Sequence, residues 1–175
     1  MKDVELIAPK RVISKIMKDF IIAVDTSCGA NEKRCFLSEG SIFCTVIYDN
    51  VPLNRVKDFR YNLNQLLERG SDYSDQGFGY ICANMGKRAN YTKGFAQITK
   101  ILLHEYAHTV TYDQIMELYG EEEIARLYAE AETQEEYLHV PTEWVATQWA
   151  INWLKDPEHR KIARDFEKKF WACFA

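Results

Sequence analysis

The chain has 175 residues, of which 47% are hydrophobic, and its formal net charge is −4. This length and composition predict one folded domain over residues 1–175 and exclude an intrinsically disordered chain. The charge argues against a surface that binds nucleic acid over the whole molecule, and no apolar run reaches the length of a membrane span.

The first half of the chain predicts a mixture of helices and strands. Apolar residues at helical spacing over 5–20 predict a helix that begins near Pro9, and residues 21–25 either continue this helix or begin a strand. A second helix is predicted over 52–68. Three short β-rich runs predict strands, the first two of which form a hairpin: 35–37, 41–48 and 78–85.

The second half of the chain predicts helices alone. A long helix runs to about Tyr119, where Gly120 stops it, because no proline or glycine interrupts the apolar pattern over residues 95–119. Residues 121–136 predict an acidic helix with three glutamates in its first turn. Two further helices are predicted over 142–155 and 157–170.

Within the long helix, residues 104–108 have the sequence His-Glu-Tyr-Ala-His, an HExxH pattern. Histidines four residues apart lie one turn apart on the same helix face, so both imidazoles can reach one metal ion. Glu105 lies at the flank of that face, where it can hold a water bound to the metal. This combination suits zinc-assisted hydrolysis, most often of a peptide bond. The alternative is a pair of core histidines bonded to carbonyls or carboxylates.

A catalytic zinc usually takes three protein ligands and leaves one position for water. The extended pattern HExxHxxGxxH is excluded, because Thr111 and Gln114 stand where it requires glycine and histidine. We expect Glu143 to be the third ligand. Ala146 and Ala150 share its helix face, so that this helix can pack closely against the HExxH helix.

Helix-start signals at residues 141–142 place Glu143 in a first turn, where the helix dipole favours an ionised carboxylate. The alternative for Glu143 is an ordinary first-turn acid that faces water. Other candidates for the third ligand come from the acidic segment and its surroundings: Asp113, Glu130, Glu132, Glu135, Glu136 and His139.

Two motifs together resemble the ImmA/IrrE-type zinc metallopeptidases: HEYAH at 104–108 and E-W-V-A-T-Q-W-A at 143–150. That family carries HExxH and, on a following helix, a pattern like E-x-E-A-N-x-F-A. The glutamate, the first alanine and the aromatic-alanine pair match. Val145 and Thr147 depart from the pattern, and the spacing between the two motifs is longer than in the family. The resemblance covers residues 98–154.

The resemblance implies a gluzincin-like site, with His104, His108 and Glu143 on zinc and Glu105 as the general base on a zinc-bound water. The predicted strands and helices match the organisation that zinc peptidases tend to share, so we expect an α+β, zincin-like fold, in which a small, twisted, mainly antiparallel sheet packs against a helical half that carries HExxH. In such a fold, strand 78–85 forms the sheet edge above the cleft, and an extended peptide can add to it. The alternative is that this strand is internal or that its edge is covered.

Two further roles are expected around such a site. A donor is needed to stabilise the oxyanion, and Tyr112, Tyr137 and His139 are the candidates. The alternative for His139 is an ordinary loop histidine. Thr147, one turn after Glu143, is expected to bond either to a ligand histidine or to its own helix backbone.

The sequence therefore predicts a zinc metallopeptidase that acts on a peptide or protein substrate. One alternative is a non-catalytic zinc-binding module that contacts a protein through residues 121–136, and another is a zinc hydrolase for a non-peptide bond. Glu105 favours the enzyme, because a structural zinc site does not need it. The substrate's identity and the oligomeric state are left open.

The cytoplasm is the expected compartment. The N-terminus is charged and has no apolar stretch, which predicts no signal peptide. The five cysteines are odd in number and include no CxxC, which is typical of reduced thiols. The alternative is a disulfide between Cys28 and Cys35 or between Cys35 and Cys44. No membrane or nucleic-acid partner is predicted.

Overall fold

The computed structural model describes residues 7–28, 81, 92 and 94–174. These residues are 81% helical and include no strand. None of the helices in this part of the chain combines the length and the apolarity needed to cross a membrane. Six helices are delimited here: α1 (Lys10–Ser27), α2 (Gln97–Tyr119), α3 (Glu121–Glu130), α4 (Gln134–His139), α5 (Pro141–Trp153) and α6 (Pro157–Trp171).

The predicted α+β, zincin-like fold is wrong, because the described part of the chain is mainly helical and holds no sheet. Ile81, from the predicted strand 78–85, is fully buried and helical. A short apolar run fits either a strand or a turn of buried helix, and periodicity alone does not separate the two. The predicted hairpin at 35–48 and the predicted helix at 52–68 lie outside the described residues.

The helices pack in two main pairs, α1 against α6 and α2 against α5, and α2 also contacts α1 and α6. On α1, residues three or four apart form one buried stripe that includes Ile13, Met17 and Phe20. The ring of Phe20 stacks on that of Phe166 in α6, with 4.3 Å between ring centroids. Residues 21–25 continue α1, so the helical alternative for this segment is confirmed.

Small side chains line the contact between α2 and α5. Ala146 and Ala150 of α5 are fully buried, as are Leu102 and Ala107 of α2. Tyr106 of α2 is also fully buried, and its hydroxyl donates to a carboxylate of α1. The middle of the HEYAH motif therefore faces the core, which leaves its two histidines on the adjoining face.

Helix ends follow local signals. Gly120 ends α2 with φ +80°, a conformation that glycine adopts without steric cost, and its N–H donates to Met116 O over 2.8 Å. The acidic segment 121–136, predicted as one helix, is instead two. Thr133 begins α4 by accepting a hydrogen bond from the Glu136 N–H, and this cap separates α4 from α3.

The start of α2 is held by α6. The Glu167 carboxylate is buried and accepts hydrogen bonds from the Ala96 N–H and from the Thr99 hydroxyl. The Arg164 guanidinium lies 4.2 Å from the centre of the Phe95 ring. These contacts satisfy an N–H group that the first helical turn leaves unpaired, and they fix where the histidine-bearing helix begins.

Candidate metal centre

Three metal-binding side chains meet where α2 packs on the first turn of α5. The Nε2 atoms of His104 and His108 lie 3.0 Å apart. Glu143 Oε2 lies 2.8 Å from His104 Nε2, and Glu143 Oε1 lies 3.5 Å from His108 Nε2. Within the described residues, this is the group of three or more histidine, cysteine or acidic side chains placed to hold one metal ion.

The spacing of these atoms fits a tetrahedral ion of the size of zinc. Ligand atoms about 2.0–2.1 Å from one zinc lie roughly 3.3 Å from each other at tetrahedral angles. The two Nε2 atoms lie 3.0 Å apart, and the nearest carboxylate oxygens are Oε2, at 2.8 Å from His104, and Oε1, at 3.5 Å from His108. With one oxygen counted for Glu143, the three ligand atoms all lie within 4.8 Å of one another. Two ring nitrogens that face each other can share at most one hydrogen bond, whereas both can bind a common cation. The donor set, two imidazoles and a carboxylate, is one that catalytic zinc uses.

The histidines are neither surface groups nor sealed in the core. Their side chains are 16% exposed for His104 and 23% for His108, while that of Glu143 is 8% exposed. Solvent or a small substrate group can therefore reach the histidine side of the cluster. This partial access separates the arrangement from the closed geometry of a structural zinc site.

Electrostatics keep the carboxylate ionised. Burial is the largest influence on the pKa of Glu143 and acts to raise it, because a buried carboxylate loses hydration. The hydrogen bonds and the electrostatic attraction of the neighbouring imidazoles outweigh burial and hold the pKa of Glu143 well below its usual range. A metal ligand must be deprotonated, and Glu143 meets that condition at neutral pH.

The interaction that lowers the pKa of Glu143 raises the pKa of His108. Burial is again the largest influence and acts to lower the pKa of His108, but the Glu143 hydrogen bond and the charges of Glu143 and Glu105 together raise it above the ordinary value of 6.5. Glu105 itself is half-buried on α2, between the two histidines.

Thr147 contacts the ring nitrogen of His104 that faces away from the cluster. Its Oγ1 lies 2.9 Å from His104 Nδ1, so the predicted contact with a histidine is present. Thr147 is buried on α5, one turn after Glu143. Donation from Nδ1–H to this oxygen leaves the lone pair of His104 on Nε2, which is the nitrogen that faces the cluster.

Tyr128, on α3, is a site residue that the sequence analysis did not identify. Its hydroxyl donates to Glu143 Oε1 over 2.7 Å, and it also contacts the Thr142 hydroxyl. Burial is the largest cause of a raised pKa for Tyr128, and the nearby Glu143 charge adds to it, so the phenol stays neutral. The sequence signal was the apolar spacing of Ile124, Leu127 and Tyr128 within an acidic helix, which marks a buried face.

The three candidate oxyanion donors lie in different settings. Tyr112, one turn beyond His108, is exposed, and its hydroxyl donates to Glu121 over 3.2 Å. The ring of Tyr137 lies 5.7 Å from that of Tyr128, between ring centroids. His139 is exposed, stacks on Trp144 and has Nδ1 2.7 Å from a backbone carbonyl of its own helix.

Two of the other candidates for a third ligand, Glu130 and Glu136, have partners of their own. Glu130 forms an ion pair with Arg126 over 2.7 Å. The Glu136 carboxylate accepts from the Glu132 N–H over 2.7 Å at the start of α4. Glu143 is thus the acid that the described part of the chain brings to both histidines.

Comparison with known proteins gives no match: no family model, no curated protein and no solved structure is significantly similar to this chain.

Proposed function

We propose that the protein is a zinc-dependent metallopeptidase, with His104, His108 and Glu143 as the zinc ligands and Glu105 as the general base. The observation that carries this proposal is the convergence of two imidazoles and one carboxylate, all within 4.8 Å of one another, on a partly exposed surface. The short-motif resemblance to ImmA/IrrE-type peptidases supports the same assignment, which rests on those motifs and on the geometry alone.

When bound at this site, zinc supplies a Lewis acid for the substrate carbonyl and lowers the pKa of a bound water toward neutrality. Glu105 takes the proton of the attacking water while the water oxygen bonds to the carbonyl carbon. The same carboxyl then gives the proton to the leaving amine as the carbon–nitrogen bond breaks. Thr147 keeps the His104 ring in the required tautomer and orientation.

The proposal is tested by metal analysis and by peptide cleavage. Protein purified without added metal should contain about one zinc per chain, and it should cleave members of a mixed peptide library. Glu105→Gln should keep the zinc and lose turnover by more than about a hundredfold. Glu117→Gln, an exposed acid on the same helix, is the matched control and should keep both. Full activity in Glu105→Gln would contradict the role of the base.

A non-catalytic zinc module is the second candidate function. The observation that favours it is an acidic surface that could bind a basic partner. Residues 101–154 contain eleven acidic side chains and a single basic one, Arg126. Eight of these acids are exposed, and six of the eight lie between residues 121 and 136, next in sequence to the exposed side chains of Leu118 and Tyr119. A protein that uses this surface only to bind a basic partner needs no general base, so zinc binding without any hydrolysis would select this candidate.

The cytoplasm is the compartment that we propose. Cys28 and Cys173 carry free thiols, one exposed and one buried. An exposed free thiol is usual in reducing compartments and uncommon in secreted proteins.

A further inference from the structure

We infer that Tyr128 is a positioning residue for the metal centre. Its hydroxyl donates a hydrogen bond to Glu143 Oε1, so that the carboxylate binds metal through Oε2 alone. The inference rests on the proposed function, because it concerns how one of the proposed ligands is presented. It assigns α3 a task at the site, although none of the three ligand candidates lies on that helix.

The two oxygens of Glu143 have different surroundings. Oε2 lies 2.8 Å from His104 Nε2, whereas Oε1 accepts a hydrogen bond from the Tyr128 hydroxyl over 2.7 Å and lies farther, at 3.5 Å, from His108 Nε2. A carboxylate oxygen that already accepts a charge-assisted hydrogen bond has less electron density to offer a cation. The oxygen without that bond is therefore the better ligand.

The hydroxyl of Thr142 donates a hydrogen bond to the Tyr128 hydroxyl, which in turn donates to Glu143. The Tyr128 hydroxyl has one proton, and it donates that proton to Glu143. The contact between the Tyr128 and Thr142 hydroxyls must then be a donation from Thr142 to the phenol oxygen. The result is a chain of donations from Thr142 through Tyr128 to Glu143, and each bond in such a chain strengthens the next.

The Tyr128 ring is held in place independently of its hydroxyl. The ring packs with the small apolar cluster of Ile115, Ile124 and Val140, where α2, α3 and the start of α5 meet. Tyr128→Phe keeps that packing and removes only the donor. The carboxylate is then free to turn and to offer both oxygens to the metal, which fills a coordination position that a catalytic zinc keeps open for water.

The test compares the full-length wild-type chain with Tyr128→Phe in two titrations. Zinc affinity is measured by competition with a chromophoric chelator, and cobalt(II) replaces zinc as a spectroscopic probe, because its visible absorption is intense in four-coordinate sites and weak in sites of higher coordination number. We expect Tyr128→Phe to bind zinc about 10–100-fold more weakly, because the carboxylate loses the hydrogen bond that orients it for the metal. The cobalt spectrum should also weaken, because the freed carboxylate raises the coordination number. Tyr119→Phe, an exposed phenol at the end of α2, is the control and should match the wild type in both.

The possible outcomes separate this inference from the proposed function. A wild-type chain that binds no zinc overturns both. Unchanged affinity, or weaker affinity with an unchanged cobalt spectrum, overturns the role of Tyr128 and leaves the metal centre standing. If Tyr128→Phe does not fold, as judged by circular dichroism, Thr142→Val tests the same chain of donations. It should weaken zinc binding in the same direction, and an affinity and cobalt spectrum equal to wild type would overturn the inference.

Discussion

Glu143 Oε2 lies 2.8 Å from His104 Nε2, although 39 positions separate the two residues in the chain. The contact joins the middle of α2 to the first turn of α5. Further along α5, Ala146 and Ala150 are fully buried against α2. The packing of α5 against α2 is therefore what brings Glu143 to His104. An ion bound here holds α2 and α5 together, so zinc should raise the unfolding temperature of the protein.

The ligand assignment predicts the zinc content of four variants. His104→Ala, His108→Ala and Glu143→Ala should each lower bound zinc from about one per chain to near zero after dialysis against a weak chelator, because two ligands bind zinc too weakly. His139→Ala removes an exposed histidine and should keep the metal. Atomic absorption gives the stoichiometry. Full zinc retention in Glu143→Ala would show that another group is the third ligand.

Zinc affinity should fall as the pH falls, beginning above pH 6.5. The pKa of His108 in the metal-free protein is raised above 6.5, and zinc must displace the proton that this ring holds. Below that raised pKa, each pH unit should weaken apparent binding about tenfold. A chelator competition from about pH 8 to about pH 6 measures the slope. An affinity that stays constant across this range would contradict the proposed role of His108.

In the metal-free protein, the contribution of His108 to the free energy of unfolding should increase as the pH falls, whereas zinc affinity decreases. A raised pKa means that the folded state holds the His108 proton more tightly than the unfolded chain does. This contribution to the free energy of unfolding is fully present below pH 6.5 and is lost as the pH rises through the folded-state pKa. Urea unfolding of chelator-treated protein across the same pH range checks it, with the His108→Ala variant as the reference without this contribution.

Thr147→Val should weaken zinc binding by about tenfold or more without unfolding the protein. Valine has nearly the same shape as threonine, but it leaves His104 Nδ1 without its partner and the ring free to change tautomer. Thr111→Val is the matched control, because the buried hydroxyl of Thr111 bonds to a backbone carbonyl of its own helix. Chelator competition again measures affinity. Equal losses in both variants would mean that Thr147 acts through packing alone.

Glu167→Ala should lower the free energy of unfolding by about 1–3 kcal/mol. The substitution leaves the Ala96 N–H and the Thr99 hydroxyl without their acceptor at the start of α2. Glu167→Gln keeps an acceptor oxygen and should lose less. Asp165→Ala, an exposed acid on the same helix, is the control. A loss for Glu167→Ala no larger than that for Asp165→Ala, in chemical denaturation, would contradict the anchoring role.

The sequence predicts the histidine pair and the acid that joins it because both signals are local. Helical periodicity alone places His104 and His108 on one face. Pro141 occupies the first turn of α5, which places Glu143 at the start of that helix. The small residues on the Glu143 face then predict which helix approaches, and the burial of Ala146 and Ala150 agrees with this.

Tyr128 could not be placed by the same reasoning. Its contact with Glu143 exists only because α3 turns back at Gly120 and packs beside the start of α5, and that docking depends on many apolar contacts at once. The pattern of Ile124 and Tyr128 predicts a buried face on α3 but not its partner.

The predicted sheet fails for a related reason. The residue of the predicted strands that the structure describes, Ile81, lies in the helical core. Strand propensity reflects the packing environment more than the residue itself, so surrounding helices can override it. The zincin-like sheet was also expected because zinc peptidases tend to share it. The two motifs that indicate such a peptidase lie on α2 and α5, and they carry no information about the first half of the chain.

The most direct test of the account is a crystal structure with diffraction data on both sides of the zinc absorption edge. The account predicts one anomalous peak, present only above the edge, within about 2.0–2.2 Å of His104 Nε2, His108 Nε2 and one oxygen of Glu143. A zinc peak elsewhere, or the two imidazoles and the carboxylate bonded to each other with no metal between them in zinc-supplemented crystals, would contradict it.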